Sequence, residues 1–194
     1  MAKPGRLVVI IGPMFAGKTT KLIGELRKEQ KRKRRTIVFK ADFDSRYSSA
    51  EVVSHDGVKV PAYRIPTTQK SLGLIRKISE SYEVIALDEG HFWTETEGMA
   101  DLLNELAFSS KIVYVSMLST GMWGEPFKIG KELIPLADKV YSLEAKCAKC
   151  GKGNAIFTQR VAPYKEGASM ADMVGGAKEY QPRCRLCFEQ RKMG

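Results

Sequence analysis

Apolar residues in this chain follow two alternating rhythms. Short continuous runs occur at 7–11, 36–39, 84–87 and 111–117, too short for helices and read as strands buried on both faces. Between them, apolar positions recur every three or four residues. Leu22, Ile23 and Leu26 mark a helix from 19 to about 34. Leu72, Leu74, Ile75 and Ile78 mark one from 69 to about 80, and Met99, Leu102, Leu103 and Leu106 one over 96–108. A short helix over 129–137, interrupted near Pro135, precedes a last core strand at 140–145. Val52-Val53 and 58–60 flank the turn signal Asp56-Gly57, predicting a small β excursion. Strand–helix alternation of this kind predicts an α/β fold with a mostly parallel sheet flanked by helices. The rhythm then stops. Gly151, Gly153, Pro163, Gly167, Gly175, Gly176 and Pro182 punctuate a stretch that cannot bury a core of its own. The expected organisation is an α/β unit over 1–145 and a small appended unit over 146–194.

Composition changes this picture little. With 194 residues, 43% hydrophobic and 28% charged, the chain has the make-up of an ordinary globular protein. No apolar run approaches the roughly 20 residues of a membrane span, and a cytoplasmic location without membrane contact is the expectation. The net charge of +10 raises the question of nucleic acid. Much of it, however, is concentrated in Arg27, Lys28, Lys31, Arg32, Lys33, Arg34 and Arg35, at the predicted C-terminal end of the first helix. Cations there suit the helix dipole, and no aromatic residues interleave them. A solvated helix end is favoured over a nucleic-acid surface.

Chemistry is carried first by Gly12-Pro13-Met14-Phe15-Ala16-Gly17-Lys18-Thr19, followed by Thr20. Glycine, four residues, then Gly-Lys-Thr between a strand and a helix is the phosphate-binding loop pattern. Glycines let the backbone curl with its N–H groups turned inward toward phosphate oxygens. Lys18 would reach the β- and γ-phosphates of ATP, and the Thr19 hydroxyl would hold Mg²⁺. Asp44 and Arg46 follow the second strand, where they are candidates for metal and phosphate contacts or simply for loop capping. Asp88 ends an apolar strand, in position to bind Mg²⁺, and Glu89 is a candidate general base. Four cysteines, Cys147, Cys150, Cys184 and Cys187, form two Cys-x-x-Cys pairs. In an intracellular chain this pattern reads as a closed, structural Zn²⁺ site in preference to disulfides. A metal would then organise the segment lacking a core.

The ordered set of motifs resembles the zinc-containing thymidine kinases. It runs from the loop at Gly12 through Asp44-Ser-Arg-Tyr-Ser48, Ser54-His-Asp-Gly57, Asp88-Glu89 and Gly124-Glu-Pro-Phe127. It continues with Phe157-Thr-Gln-Arg160, Gly175-Gly176, Tyr180 and the cysteine pairs. The resemblance implies a P-loop NTPase-type core with a C-terminal zinc ribbon and lasso loop. It implies ATP-dependent phosphorylation of a deoxynucleoside 5′-hydroxyl with Glu89 as base. It also implies a lid held between the cysteine pairs, with Val174, Gly175, Gly176 and Tyr180 on the nucleoside. Met14, Phe92, Leu118, Met122 and Thr158 would surround the base, and the assembly would be a homotetramer. Where the family usually reads Asp-Glu-Ala-Gln-Phe-Phe, this chain has Asp88-Glu-Gly-His-Phe-Trp93. Where it commonly reads Leu-Asp-x-Asp-Phe-Arg, this chain has Leu118-Ser-Thr-Gly-Met-Trp123. Methionine in place of phenylalanine softens that wall, which leaves a kinase of another or modified deoxynucleoside as an alternative. A nucleic-acid-binding NTPase with a zinc ribbon is a more distant one.

Overall fold

A computed structural model describes residues 4–42, 51–53, 59–163 and 175–190. Asp44, Arg46, Ser54, His55, Asp56 and Val174, singled out above, lie outside the described residues.

The core is a six-stranded, all-parallel sheet. Its strands are β1 (Arg6–Gly12), β2 (Thr36–Ala41), β5 (Tyr63–Ile65), β6 (Val84–Leu87), β7 (Ile112–Leu118) and β8 (Lys139–Ser142), in the order β5-β2-β6-β7-β1-β8. A separate two-stranded ribbon pairs β3 (Glu51–Val53) with β4 (Lys59–Pro61), the excursion the Asp-Gly turn predicts.

Side chains of the central strands alternate between two apolar layers, which explains why their sequences are apolar throughout. Val8, Ile10, Val38, Ala86 and Tyr114 face α1 (Lys18–Lys31), meeting its Leu22, Ile23 and Leu26. Leu7, Val9, Phe39, Leu87 and Val115 face the other way. There they meet Ile75 of α2 (Lys70–Ser79), Leu102, Leu103 and Leu106 of α3 (Met99–Phe108), and Ile129 and Leu133 of α4 (Lys128–Leu133). All connections carry the chain back so that the carboxyl ends of the strands form one edge, where open α/β sheets bind ligands.

Three departures from the expected elements have clear causes. The helix after the phosphate loop stops at Lys31, before Arg34, because Lys33 turns back with φ of 60°. Arg32 and Arg34 then fold onto Glu29, which is 1% exposed and also holds Arg6 at 2.8 Å. A carboxylate buried that deeply requires cationic partners, so this part of the basic cluster is ion-paired at the end of the sheet opposite the loop. The last strand is Lys139–Ser142, not 140–145, and it is an exposed edge strand paired with β1. Ala145 instead bridges Ala155. Finally, Tyr63–Ile65 adds an edge strand beside β2 that three residues were too short to announce.

The C-terminal segment is built on β9 (Phe157–Arg160) and β10 (Tyr180–Arg183), an antiparallel pair. Its own apolar cluster is small: Ala145, Cys147, Ala155 and Cys184.

Candidate phosphoryl-transfer site

The loop between β1 and α1 closes tightly. Gly12 leaves no room for a side chain, since a Cβ there would lie 2.7 Å from the Leu143 carbonyl oxygen. Gly17, at the helix N-terminus, has φ of 78°, a left-handed conformation that favours glycine. Lys18 is buried and donates to the Pro13 carbonyl at 2.8 Å, so its ammonium is held across the loop. No side chain caps the start of α1, and no acid sits in its first turn. This positive helix end is suited to an anion. Thr19 is half-buried there and Thr20 is exposed. One expectation needs revision: the Met14 N–H does not turn inward but donates to Thr158 Oγ1 at 2.9 Å.

Strand register assembles the rest. Phe39 pairs with Leu87, and Leu87 with Val115. One residue further, Lys40, Asp88 and Ser116 therefore stand in one row at the carboxyl edge. Alternation puts them on the face that carries Val38, Ala86 and Tyr114, the side of α1 and Lys18. All three are buried. Burial above all, and then neighbouring Glu89, push the Asp88 carboxyl up to about 7. Lys40, the Ser116 hydroxyl and Lys18 pull it the other way. Among the described residues, Asp88 Oδ1 has no hydrogen-bond partner. A buried carboxylate oxygen without a donor, beside two cations and the phosphate loop, fits a hydrated divalent cation. Lys40 and Ser116 were not singled out from the sequence. The available signal was their phase, each two residues beyond an apolar position facing α1.

Glu89 has φ of 55° and ψ of 43°, an uncommon conformation for a non-glycine residue, and heads a 3₁₀ turn over Gly90–Trp93. A Cβ on Gly90 would meet Val115 Cγ1 at 2.8 Å, so this turn packs hard against β7. The Glu89 carboxylate is partly exposed at the strand edge, 3.4 Å from His91 Nδ1. That nitrogen accepts the Leu118 N–H at 3.4 Å, and the His91 ring lies against Phe92 and Phe127. Trp93 is fully buried with its indole N–H on the Pro66 carbonyl, and so belongs to the core.

Of the expected base-contacting residues, Leu118, Met14 and Thr158 lie at this edge. Leu118 is the register partner of Gly12, and Ser119 N–H donates to the Gly12 carbonyl. Met122 is half-buried in a loop closed by the Thr120–Pro126 bridge. From the C-terminal segment, Thr158 reaches the phosphate loop. Gly175 sits where a Cβ would lie 2.9 Å from the Tyr180 ring, and Tyr180 N–H bonds the Gly176 carbonyl. The Tyr180 hydroxyl accepts from Arg160 at 2.7 Å.

The cysteines come together as well. Cys147, Cys150, Cys184 and Cys187 present sulfurs within 4.8 Å of one another, and none forms a disulfide. Burial raises the Cys147 thiol, but the N–H groups of Cys150, Cys184 and Lys149 outweigh it and hold the thiol at about 6. Four converging thiol groups, one already favouring its thiolate, match a tetrahedral soft-metal site. Among the described residues no helix is long and apolar enough to cross a membrane.

Known proteins place this geometry. The thymidine kinase family model matches residues 5–188. A thymidine kinase of Thermococcus kodakarensis is 42% identical over 185 residues, covering 93% of this chain and 92% of that protein. One of Pyrobaculum aerophilum is 41% identical over 184 residues, covering 92% and 96%. One of Rabbit fibroma virus is 35% identical over 184 residues, covering 95% and 96%. With the phosphate loop, the acidic strand end and the four-cysteine cluster all inside the matched span, the chain belongs to the thymidine kinase family.

Proposed function

We propose that this chain transfers the γ-phosphate of ATP to the 5′-hydroxyl of thymidine, giving dTMP for DNA precursor salvage. The observation that carries the chemistry is the strand end Asp88-Glu89: a buried carboxylate with one oxygen unpaired among the described residues, beside Lys18 of the phosphate loop, followed by a partly exposed one.

In this reading the loop Gly12–Gly17 and the N-terminus of α1 bind the triphosphate, with Lys18 as the buried cation nearest the transferred group. Thr19 and Asp88 hold Mg²⁺, with Asp44 and Arg46 as further contacts. When bound, Mg²⁺ neutralises charge on the phosphate oxygens. Glu89 accepts the proton of the 5′-hydroxyl as that oxygen attacks phosphorus and the bond to ADP breaks. Met14, Phe92, Leu118, Met122 and Thr158 surround the base, and Val174, Gly175, Gly176 and Tyr180 cover it. Cys147, Cys150, Cys184 and Cys187 hold Zn²⁺, anchoring both ends of that cover. The catalytic unit spans 1–145 and the metal-bound unit 146–194, in a cytoplasmic homotetramer.

A panel of deoxynucleosides with labelled ATP and Mg²⁺ tests the substrate. Thymidine and deoxyuridine should be the preferred acceptors. Stronger turnover of a purine deoxynucleoside or deoxycytidine would overturn the assignment and trace to the loop at Ser119–Trp123.

A further inference from the structure

Within the phosphate loop, Lys18 donates to the Pro13 carbonyl at 2.8 Å, and Ala16 N–H reaches the same carbonyl at 3.4 Å. Further ties come from the cysteine-bearing segment. Thr158, 3% exposed on β9, takes the Met14 N–H on its hydroxyl at 2.9 Å. Ala16 packs against the cluster of Ala145, Cys147, Ala155 and Cys184, which contains two of the four metal-site cysteines. Ser119 connects the same two regions a second time, donating its hydroxyl to the Ile156 carbonyl at 3.1 Å and its N–H to the Gly12 carbonyl at 3.3 Å.

We infer that Thr158 is a positioning residue of the phosphate loop, through which the cysteine-bound metal module sets the loop's shape for ATP. This inference rests on the reading of the loop as an ATP site. Ala16 packs against the same small cluster as Cys147 and Cys184, and β9 reaches Met14 through Thr158. The metal module thus serves phosphate binding as well as nucleoside covering. Thr158 is suited to this because its hydroxyl accepts from Met14 while its methyl group stays packed. Valine matches its shape without the acceptor. Serine keeps the acceptor without the methyl. Losing the acceptor leaves the Met14 N–H with no partner and frees the loop to sample conformations in which its amides no longer converge.

The test uses full-length, metal-loaded protein and a non-hydrolysable ATP analogue with Mg²⁺, its affinity measured calorimetrically apart from that of thymidine. Thr158→Val should weaken the analogue about 5- to 30-fold, with metal content retained. Thr158→Ser should recover most of the analogue affinity. A Val variant that binds the analogue like wild type, or a Ser variant as weak as Val, overturns the inference. A second measurement does not depend on the variant folding. Stripping the metal from wild type with a zinc-selective chelator in excess Mg²⁺ should weaken analogue binding, and unchanged binding overturns the inference. Wild-type protein that fails to bind the analogue at all would instead overturn the ATP-site reading itself.

Discussion

Without Mg²⁺ bound, Asp88 should make the protein less stable than it would be without the charge. Its carboxyl is raised from 3.8 to about 7, chiefly by burial. The folded state therefore binds a proton at Asp88 more tightly than the unfolded state does. Wherever that holds, stability falls as pH rises. The cost appears above pH 3.8, grows up to about pH 7 and is constant beyond. At ~1.4 kcal/mol for each tenfold change in proton affinity, it reaches about 4 kcal/mol. Asp88→Asn keeps the shape and removes the charge. The buried amide has its own cost, on the order of 1–3 kcal/mol, so the net gain at pH 8 is smaller than the full figure. That cost does not vary with pH, and the pH dependence isolates the carboxylate. Between pH 6 and pH 8 the stability of Asp88→Asn relative to wild type should grow by about 1.4 kcal/mol, which is roughly 3–6 °C in melting midpoint for a chain of this size. Thermal unfolding in buffers without added divalent cations measures it. Strong chelators are avoided because they would strip the cysteine site. Adding Mg²⁺ and ATP should raise the wild-type midpoint more than that of the variant, which should turn over poorly. A stability difference that stays flat from pH 6 to pH 8 would refute the assignment of Asp88 as a carboxylate destabilised by its burial.

Two further substitutions probe other parts of the molecule. Glu89→Gln should fold, hold its metal and bind the ATP analogue, yet lose about 10²- to 10⁴-fold in kcat; near-normal turnover would remove Glu89 from the base role. Glu29→Ala opens the cluster of Arg6, Arg32, Arg34 and the Tyr114 hydroxyl. Because those arginines are partly exposed and can turn to water, the loss should fall toward the low end of the range for buried pairs, about 2–3 kcal/mol by urea unfolding. Activity at low temperature should be unchanged, because Glu29 lies at the far end of the sheet.

Local pattern alone made the main elements legible. The continuous apolar runs around Val9, Ile37, Ile85 and Val113 could only be strands covered on both faces, and the spacing of Leu22, Ile23 and Leu26 could only bury one side of a helix. The loop at Gly12–Thr19 and the cysteine pairs were equally plain, because their chemistry depends on residues close in sequence. Other features depended on partners distant in the chain. Lys33 reverses the backbone because Arg32 and Arg34 meet the buried Glu29, a pairing that helix periodicity does not encode. Among the described residues, the strand at Lys139–Ser142 pairs only with β1 and so forms an edge. The row of Lys40, Asp88 and Ser116 exists only through the register of three parallel strands. So, too, the Met14 N–H meets a hydroxyl from 144 residues further along the chain. Sequence by itself determined which groups the protein possesses for phosphoryl transfer and metal binding, since spacing and polarity are written locally. Tertiary structure alone decided which of those groups are buried, which are paired and which support one another, because burial and long-range contact arise only when the sheet closes.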